Sequence, residues 1–251
     1  MASLILAVRF LTIVPVPGRA AVGPTALGRA AWWFPIVGLA LGGGLAAADR
    51  ALSAAVPPLL AAVLVVTAWT VVTGGLHLDG LADCADALGG ATRARRLEIL
   101  ADSRIGVFGA GAMVASFAIA CAAVAGIPGA TRAPILILAP AVGRLSPLLV
   151  GASLRSAVPP HGLGASFLAS LSPFAGVVHL AVILGIAWLL MGHAGLAIGV
   201  GALAASFAAA AWLARHFGAL TGDVLGAAVT LAELTFLVLA GAVTHRGLVP
   251  P

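Results

Sequence analysis

Charge is the scarcest property of this sequence. Aspartate, glutamate and arginine make up 8% of its 251 residues, against 62% hydrophobic, where an ordinary soluble domain carries roughly 25% charged residues. So little polar surface cannot cover a globule in water, which excludes a soluble domain and points to a polytopic membrane protein. Lysine is absent: all thirteen basic residues are arginine, a bias that accompanies the richness in alanine and glycine. The arginines are dispersed, so the formal net charge of +5 implies no nucleic-acid partner. Cysteine is limited to Cys84 and Cys121, which indicates neither a disulfide framework nor a zinc site. Alternation of apolar and polar residues is missing, which excludes a barrel and leaves helices as the spanning elements. Fixed-period and inverted repeats are missing too, so residues 1–251 read as a single integral-membrane domain. The first seventeen residues hold Arg9, Pro15 and Pro17 but no small-residue cleavage pattern, so they read as a retained segment at the membrane surface rather than a signal peptide.

What the chain has is apolar length. Seven stretches, near 30–48, 58–75, 107–127, 134–152, 174–191, 195–213 and 227–244, each approach the roughly 20 residues that a bilayer span needs. The expected fold is all-α, a polytopic helical bundle of about seven transmembrane helices with an acidic cytoplasmic helix or loop after the second span. With seven spans, one side receives Arg9, Arg19, Arg29, Arg93, Arg95, Arg96, Arg104, Arg155 and Arg215, and the other only Arg50, Arg132 and Arg246. That excess places the N-terminus and the long loop in the cytoplasm and the C-terminus outside.

Five of the eight carboxylates and four of the thirteen arginines fall within residues 75–106. Asp79, Asp83 and Asp86 stand at i, i+4 and i+7, on one face of a helix, with no basic residue at pairing distance. Carboxylates without cysteine and with His77 as their only nearby imidazole favour a hard oxygen site, most plausibly Mg²⁺ held together with substrate phosphate oxygens; a solvated helix end, with Asp79 as a cap, is the bland alternative. His77 either orients a carboxylate or contacts phosphate, or is simply a boundary residue. Further on, Glu98 and Asp102 share a helix face, and Arg104 with the glycines after it can set a guanidinium and bare N–H groups against phosphate. Arg93, Arg95 and Arg96 read as topology anchors. Thr221-Gly222-Asp223 reads as a turn and helix start at the same membrane face, where Asp223 can join the cluster. Arg144 and Glu233 each lie roughly 10 Å inside their spans, and they are expected to pair, because an isolated charge there is costly. His161, His179, His193, His216 and His245 carry no assigned chemistry.

Residues LHLDGLADCAD, then RRLEILADSRIGVFG, then LTGDVLGA with a downstream glutamate closely resemble the cobalamin synthases, the adenosylcobinamide-GDP ribazoletransferases of late vitamin B12 assembly. FLTIVPVP near the start, FPIVGLALG in the first span and HGLG at 161–164 extend the likeness over nearly the whole chain, in order. The chain departs from the usual pattern at Ile13, Cys84 and Thr230.

The resemblance implies a membrane transferase that joins α-ribazole, or its 5′-phosphate, to adenosylcobinamide-GDP and releases GMP, in the bacterial inner membrane with its active site facing the cytoplasm. It implies Mg²⁺ on Asp79, Asp83, Asp86 and Asp102, catalysis by these carboxylates with Arg104, and supporting contacts from His77, Ser103, Asp223 and Glu233. The expected partners are those two substrates and membrane lipids, with no nucleic acid; a homo-oligomer is compatible with the sequence. Two competing readings are another membrane transferase acting on diphosphates, such as an intramembrane prenyltransferase or a CDP-alcohol phosphotransferase, whose second pair of aspartates is missing here, and a transporter or channel, whose polar residues would gather at the bilayer midplane rather than at one face.

Overall fold

The computed structural model describes residues 1–154 and 162–247; Arg155 and His161 lie outside them. Among the described residues every regular element is a helix. The chain begins with α1 (Ala2–Leu11) and α2 (Ala26–Ala30), followed by a 3₁₀ turn at Ala31–Trp33. Then come α3 (Phe34–Ser53), α4 (Pro58–Val72), α5 (Leu76–Ala87) and α6 (Arg93–Leu100). The remainder is α7 (Val107–Gly126), α8 (Gly129–Ser153), α9 (Leu163–Leu168), α10 (Pro173–Phe217) and α11 (Gly222–His245).

Five helical segments are long and apolar enough to cross a membrane: 26–53, 107–126, 129–153, 173–217 and 222–245. A sixth arises if α4 and α5 are taken as one broken span. One difference from the expected seven has a physical cause, and one expected break is borne out. The stretch near 58–75 stops as α4 after 15 residues, because Gly74 and Gly75 adopt positive φ (60° and 67°), conformations that a side chain disfavours. There the chain turns by 88° into α5, so α5 does not continue the span. The stretches 174–191 and 195–213 belong to the 45 residues of α10, which break at Gly192 (φ 62°, ψ −150°). A Cβ on Gly199 would stand 2.8 Å from Cδ2 of Leu184, although a straight helix would hold those residues about 22 Å apart. The two arms of α10 therefore fold back on each other.

α8 is the axis of the bundle, buried along most of its length and packed by α3, α10 and α11. Its interior prolines, Pro134, Pro140 and Pro147, would break an exposed helix, but neighbours and side chains re-satisfy the freed carbonyls inside a membrane bundle; Ser146 Oγ donates to the carbonyl of Gly143 at 2.8 Å. α1 lies against α2 and α3, with Phe10 stacked on Phe34 at 5.8 Å between ring centroids. At the end away from α5, Arg132 of α8 is buried against Asp49 of α3, 3.0 Å apart.

Candidate active site

The site forms where α5 crosses α11. Glycine faces glycine at the crossing: a Cβ on Gly80 would stand 2.9 Å from the carbonyl oxygen of Asp223, and one on Gly226 would stand 3.5 Å from Cα of Gly80. Small residues let the two backbones approach this closely. Gly164, in α9, lies equally close to the start of α11, 3.0 Å from N of Gly222 by the same measure. Asp79 and Asp223 each occupy the first turn of their helix, where the positive end of the helix dipole favours a carboxylate. Thr221 caps α11 by accepting a hydrogen bond from Val224 N at 3.3 Å.

A cavity of about 430 Å³ opens beside this crossing. Its walls are mostly apolar, with Phe10, Phe34 and Phe167 forming an aromatic row (Phe34 to Phe167, 5.9 Å). Leu97, Leu100 and Ala101 at the end of α6 border it. Among the described residues its ionisable lining consists of Asp79, Asp223, His77 and Arg144. Arg93 and Arg96 tether α6 by donating to the carbonyls of Arg215 and His216 at the end of α10, at 3.0 and 3.2 Å.

One turn along α5, Asp83 is half-buried. Burial, then the charges of Asp79, Asp223 and Asp86, push its carboxyl up to about 6. The Asp223 carboxyl is raised as well, by burial and then by the charge of Asp79. Cys84, beside them, is buried, and burial raises its thiol far above the reactive range.

The segments whose pattern suggested a family converge here. Phe10 and Leu11 come from FLTIVPVP, Phe34 from FPIVGLALG, Asp79 and Gly80 from LHLDG, Gly162 to Gly164 from HGLG, and Thr221 to Asp223 from LTGD; all line the one cavity. Comparison with known proteins agrees. The model of the family described as cobalamin-5-phosphate synthase matches residues 3–241. The chain belongs to the cobalamin-5-phosphate synthase family. Among its relatives, the adenosylcobinamide-GDP ribazoletransferase of Roseiflexus sp. (strain RS-1) is 37% identical over 245 residues, covering 92% of this chain and 86% of the relative. Those of Pseudomonas aeruginosa (strain UCBPP-PA14) and Acetivibrio thermocellus are 38% and 33% identical, each covering 94% of this chain and 96% of the relative. No solved structure matches the chain.

Within this cobalamin-5-phosphate synthase framework the expected site residues divide. Asp79, His77 and Asp223 line the cavity, and Asp83 is coupled to the two aspartates. Glu233 meets Arg144 as expected, its Oε1 accepting from Nη1. Asp86 is engaged elsewhere: Oδ2 accepts from Gly106 N at 2.7 Å and Oδ1 from Gly109 N at 2.8 Å, so it holds the first turn of α7. The glycine N–H groups expected to face phosphate are therefore occupied by Asp86. Asp102 and Arg104 pair with each other on the exposed turn after α6, Nη2 to Oδ2 at 2.6 Å. These hydrogen bonds hold the Asp102 carboxyl at about 2. Neither residue, nor the exposed Ser103 between them, lines the cavity, although the neighbouring Ala101 does. Among the described residues no three His, Cys, Asp or Glu side chains come together as a ready ligand set, so Asp79, Asp83, Asp86 and Asp102 do not converge on one point. His161 of the HGLG segment lies outside the described residues. Sequence reasoning assigned Arg144 only an ion-pairing role and missed its place in the cavity wall; it also missed the aromatic row, although Phe10 and Phe34 sit inside the quoted segments.

Proposed function

We infer that the chain is an adenosylcobinamide-GDP ribazoletransferase of late vitamin B12 biosynthesis, the activity named for its relatives. It joins α-ribazole, or its 5′-phosphate, to adenosylcobinamide-GDP and releases GMP. The observation that carries this reading is the meeting of Asp79 and Asp223, with Asp83 one turn along α5, at an apolar, aromatic-lined cavity built from every family segment. A ribazole hydroxyl attacks the phosphorus that bears the cobinamide, the bond from that phosphorus to GMP breaks, and a carboxylate takes the hydroxyl proton. Asp223, half-buried and in the cavity lining, is the carboxylate best placed to accept it. The aromatic row suits the ring of the ribazole base, and the apolar walls keep water from competing with the attacking hydroxyl.

Asp79 and Asp83, one turn apart on α5, are the residues that would hold Mg²⁺, which leaves Asp223 for the proton. Their chemistry fits: these are hard oxygen donors with no basic partner among the described residues, and one or two carboxylates with substrate phosphates suffice for this ion. When bound, Mg²⁺ neutralises charge on the diphosphate. Asp86 and Asp102, already satisfied by backbone N–H groups and by Arg104, act in support.

The excess of arginine on one side supports an inner-membrane protein with this site facing the cytoplasm. Counting α4 as one span and the arms of α10 as two gives seven crossings and returns every site segment to that face.

The test is GMP release from adenosylcobinamide-GDP by the purified protein, with and without α-ribazole and Mg²⁺, beside Asp83→Asn. Release that depends on all three supports the reading. A folded protein that releases none under any of these conditions overturns it.

A further inference from the structure

The protein buries two arginines and treats them differently. Arg132 is 5% exposed, and each of its nitrogens has a partner: Nε and Nη2 donate to the carbonyl of Ile127, and Nη1 donates to Asp49 and Ser53. Arg144 is 1% exposed. Its Nη1 meets Glu233 and, at 3.4 Å, the carbonyl of Pro140, but Nε and Nη2 have no partner.

Nε and Nη2 form one edge of the guanidinium, the edge whose two parallel N–H groups bind a carboxylate or phosphate bidentately. Leaving that edge bare inside a bundle is costly, and bulk water does not reach it. Arg144 stands, with His77, in the wall between the 430 Å³ cavity and a smaller one of about 70 Å³. The smaller has room for about two waters at roughly 30 Å³ each; the larger has room for a substrate. Among the described residues Arg144 is the only Lys or Arg lining the larger cavity, whose other charged groups there are Asp79 and Asp223. An anionic substrate entering there meets no other protein cation among the described residues of the lining.

We propose that the free Nε/Nη2 edge of Arg144 is the receptor for a phosphate oxyanion of the substrate in the large cavity. The proposal takes its probes from the transferase reading above. Two substrates can supply the oxyanion: the diphosphate of the GDP-activated one, or the phosphate monoester of α-ribazole 5′-phosphate.

The experiment is calorimetric titration of the purified protein in detergent, without divalent cation, so that the guanidinium is read alone. Two pairs of probes are compared: α-ribazole 5′-phosphate with α-ribazole, and GDP with guanosine. The wild-type protein is expected to prefer the phosphorylated member of at least one pair by about ten-fold or more, as bidentate charged hydrogen bonds allow. Arg144→Gln with Glu233→Gln is expected to abolish that preference. Arg144→Met with Glu233→Leu, which exchanges the ion pair for side chains needing no partner, is expected to do the same and gives a second chance of a folded variant. Loss confined to the ribazole pair assigns the edge to the monoester, and loss confined to the guanosine pair assigns it to the diphosphate. A wild-type protein with no phosphate preference in either pair overturns the proposal without recourse to variants, as does a folded variant that retains the preference. Turnover does not enter: absent GMP release with phosphate preference intact sinks the reaction and leaves the receptor, and the reverse result sinks the receptor alone.

Discussion

Asp86 closes the first turn of α7 through the N–H of Gly109, 2.8 Å from its Oδ1 and twenty-three residues along the chain. With Gly106 N on the other oxygen, the carboxylate acts as the N-cap that α7 lacks in its own sequence. Asp86→Ala should therefore lower stability by about 1–2 kcal/mol, read as a reduced melting temperature in detergent. Its Mg²⁺ requirement for GMP release should stay within about two-fold of wild type, whereas Asp83→Asn should raise it about ten-fold or more. Equal shifts in the two variants would return Asp86 to the metal set.

The crossing of α5 and α11 admits no side chain at Gly80, where a Cβ would stand 2.9 Å from the Asp223 carbonyl. Gly80→Ala should cost about 1–3 kcal/mol by overpacking and should part Asp79 and Asp83 from Asp223. Activity is expected to fall more than stability does. Gly111→Ala, at a position with nothing within 4 Å, serves as the control and should leave both unchanged.

Asp83 gives the site a pH dependence with a definite sign. Its carboxyl, raised to about 6 by burial and by Asp79, Asp223 and Asp86, is protonated below that value and ionised above it. GMP release at limiting Mg²⁺ should fall as pH drops through about 6. Because cation and proton compete for the same oxygens, saturating Mg²⁺ should move the midpoint to lower pH. A rate independent of pH between 5 and 7 would remove Asp83 from the metal group.

The membrane orientation can be read with single cysteines in a chain whose buried Cys84 and Cys121 are replaced. Ser103→Cys, on the exposed turn after α6, should react with an impermeant maleimide only from the cytoplasmic side. Ala55→Cys, between α3 and α4, should react only from the other side. Reversed labelling would move the site to the outer face.

Much of this architecture was legible in the residues themselves. Apolar length gave the helices, and depth within the spans gave the Arg144 and Glu233 pair, because two opposite charges at one level inside a membrane have few other partners. The gathering of Asp79, Asp83 and Asp223 follows from helical spacing plus a shared membrane face. Asp86 shares the same spacing but not the same task, since its partners are backbone N–H groups on a later helix and leave no mark in local periodicity. Asp49 and Arg132 escaped notice for a similar reason: they meet only because α3 ends where α8 begins. The break at Gly192 falls in the gap between the expected spans 174–191 and 195–213, because an apolar run of that length is too long for a single crossing.

The right-angle bend after Gly75 has one more consequence. Had α5 continued the line of α4, Asp79 and Asp86 would stand about 10 Å apart in depth, each in a different dielectric. Set at 88° to α4, the same helix instead spreads its acidic groups sideways, like a shelf across that line. An elongated, partly amphiphilic molecule can rest on such a shelf with its polar linkage against Asp79 and Asp83, while Asp86 at the far end stays with the N–H groups of α7.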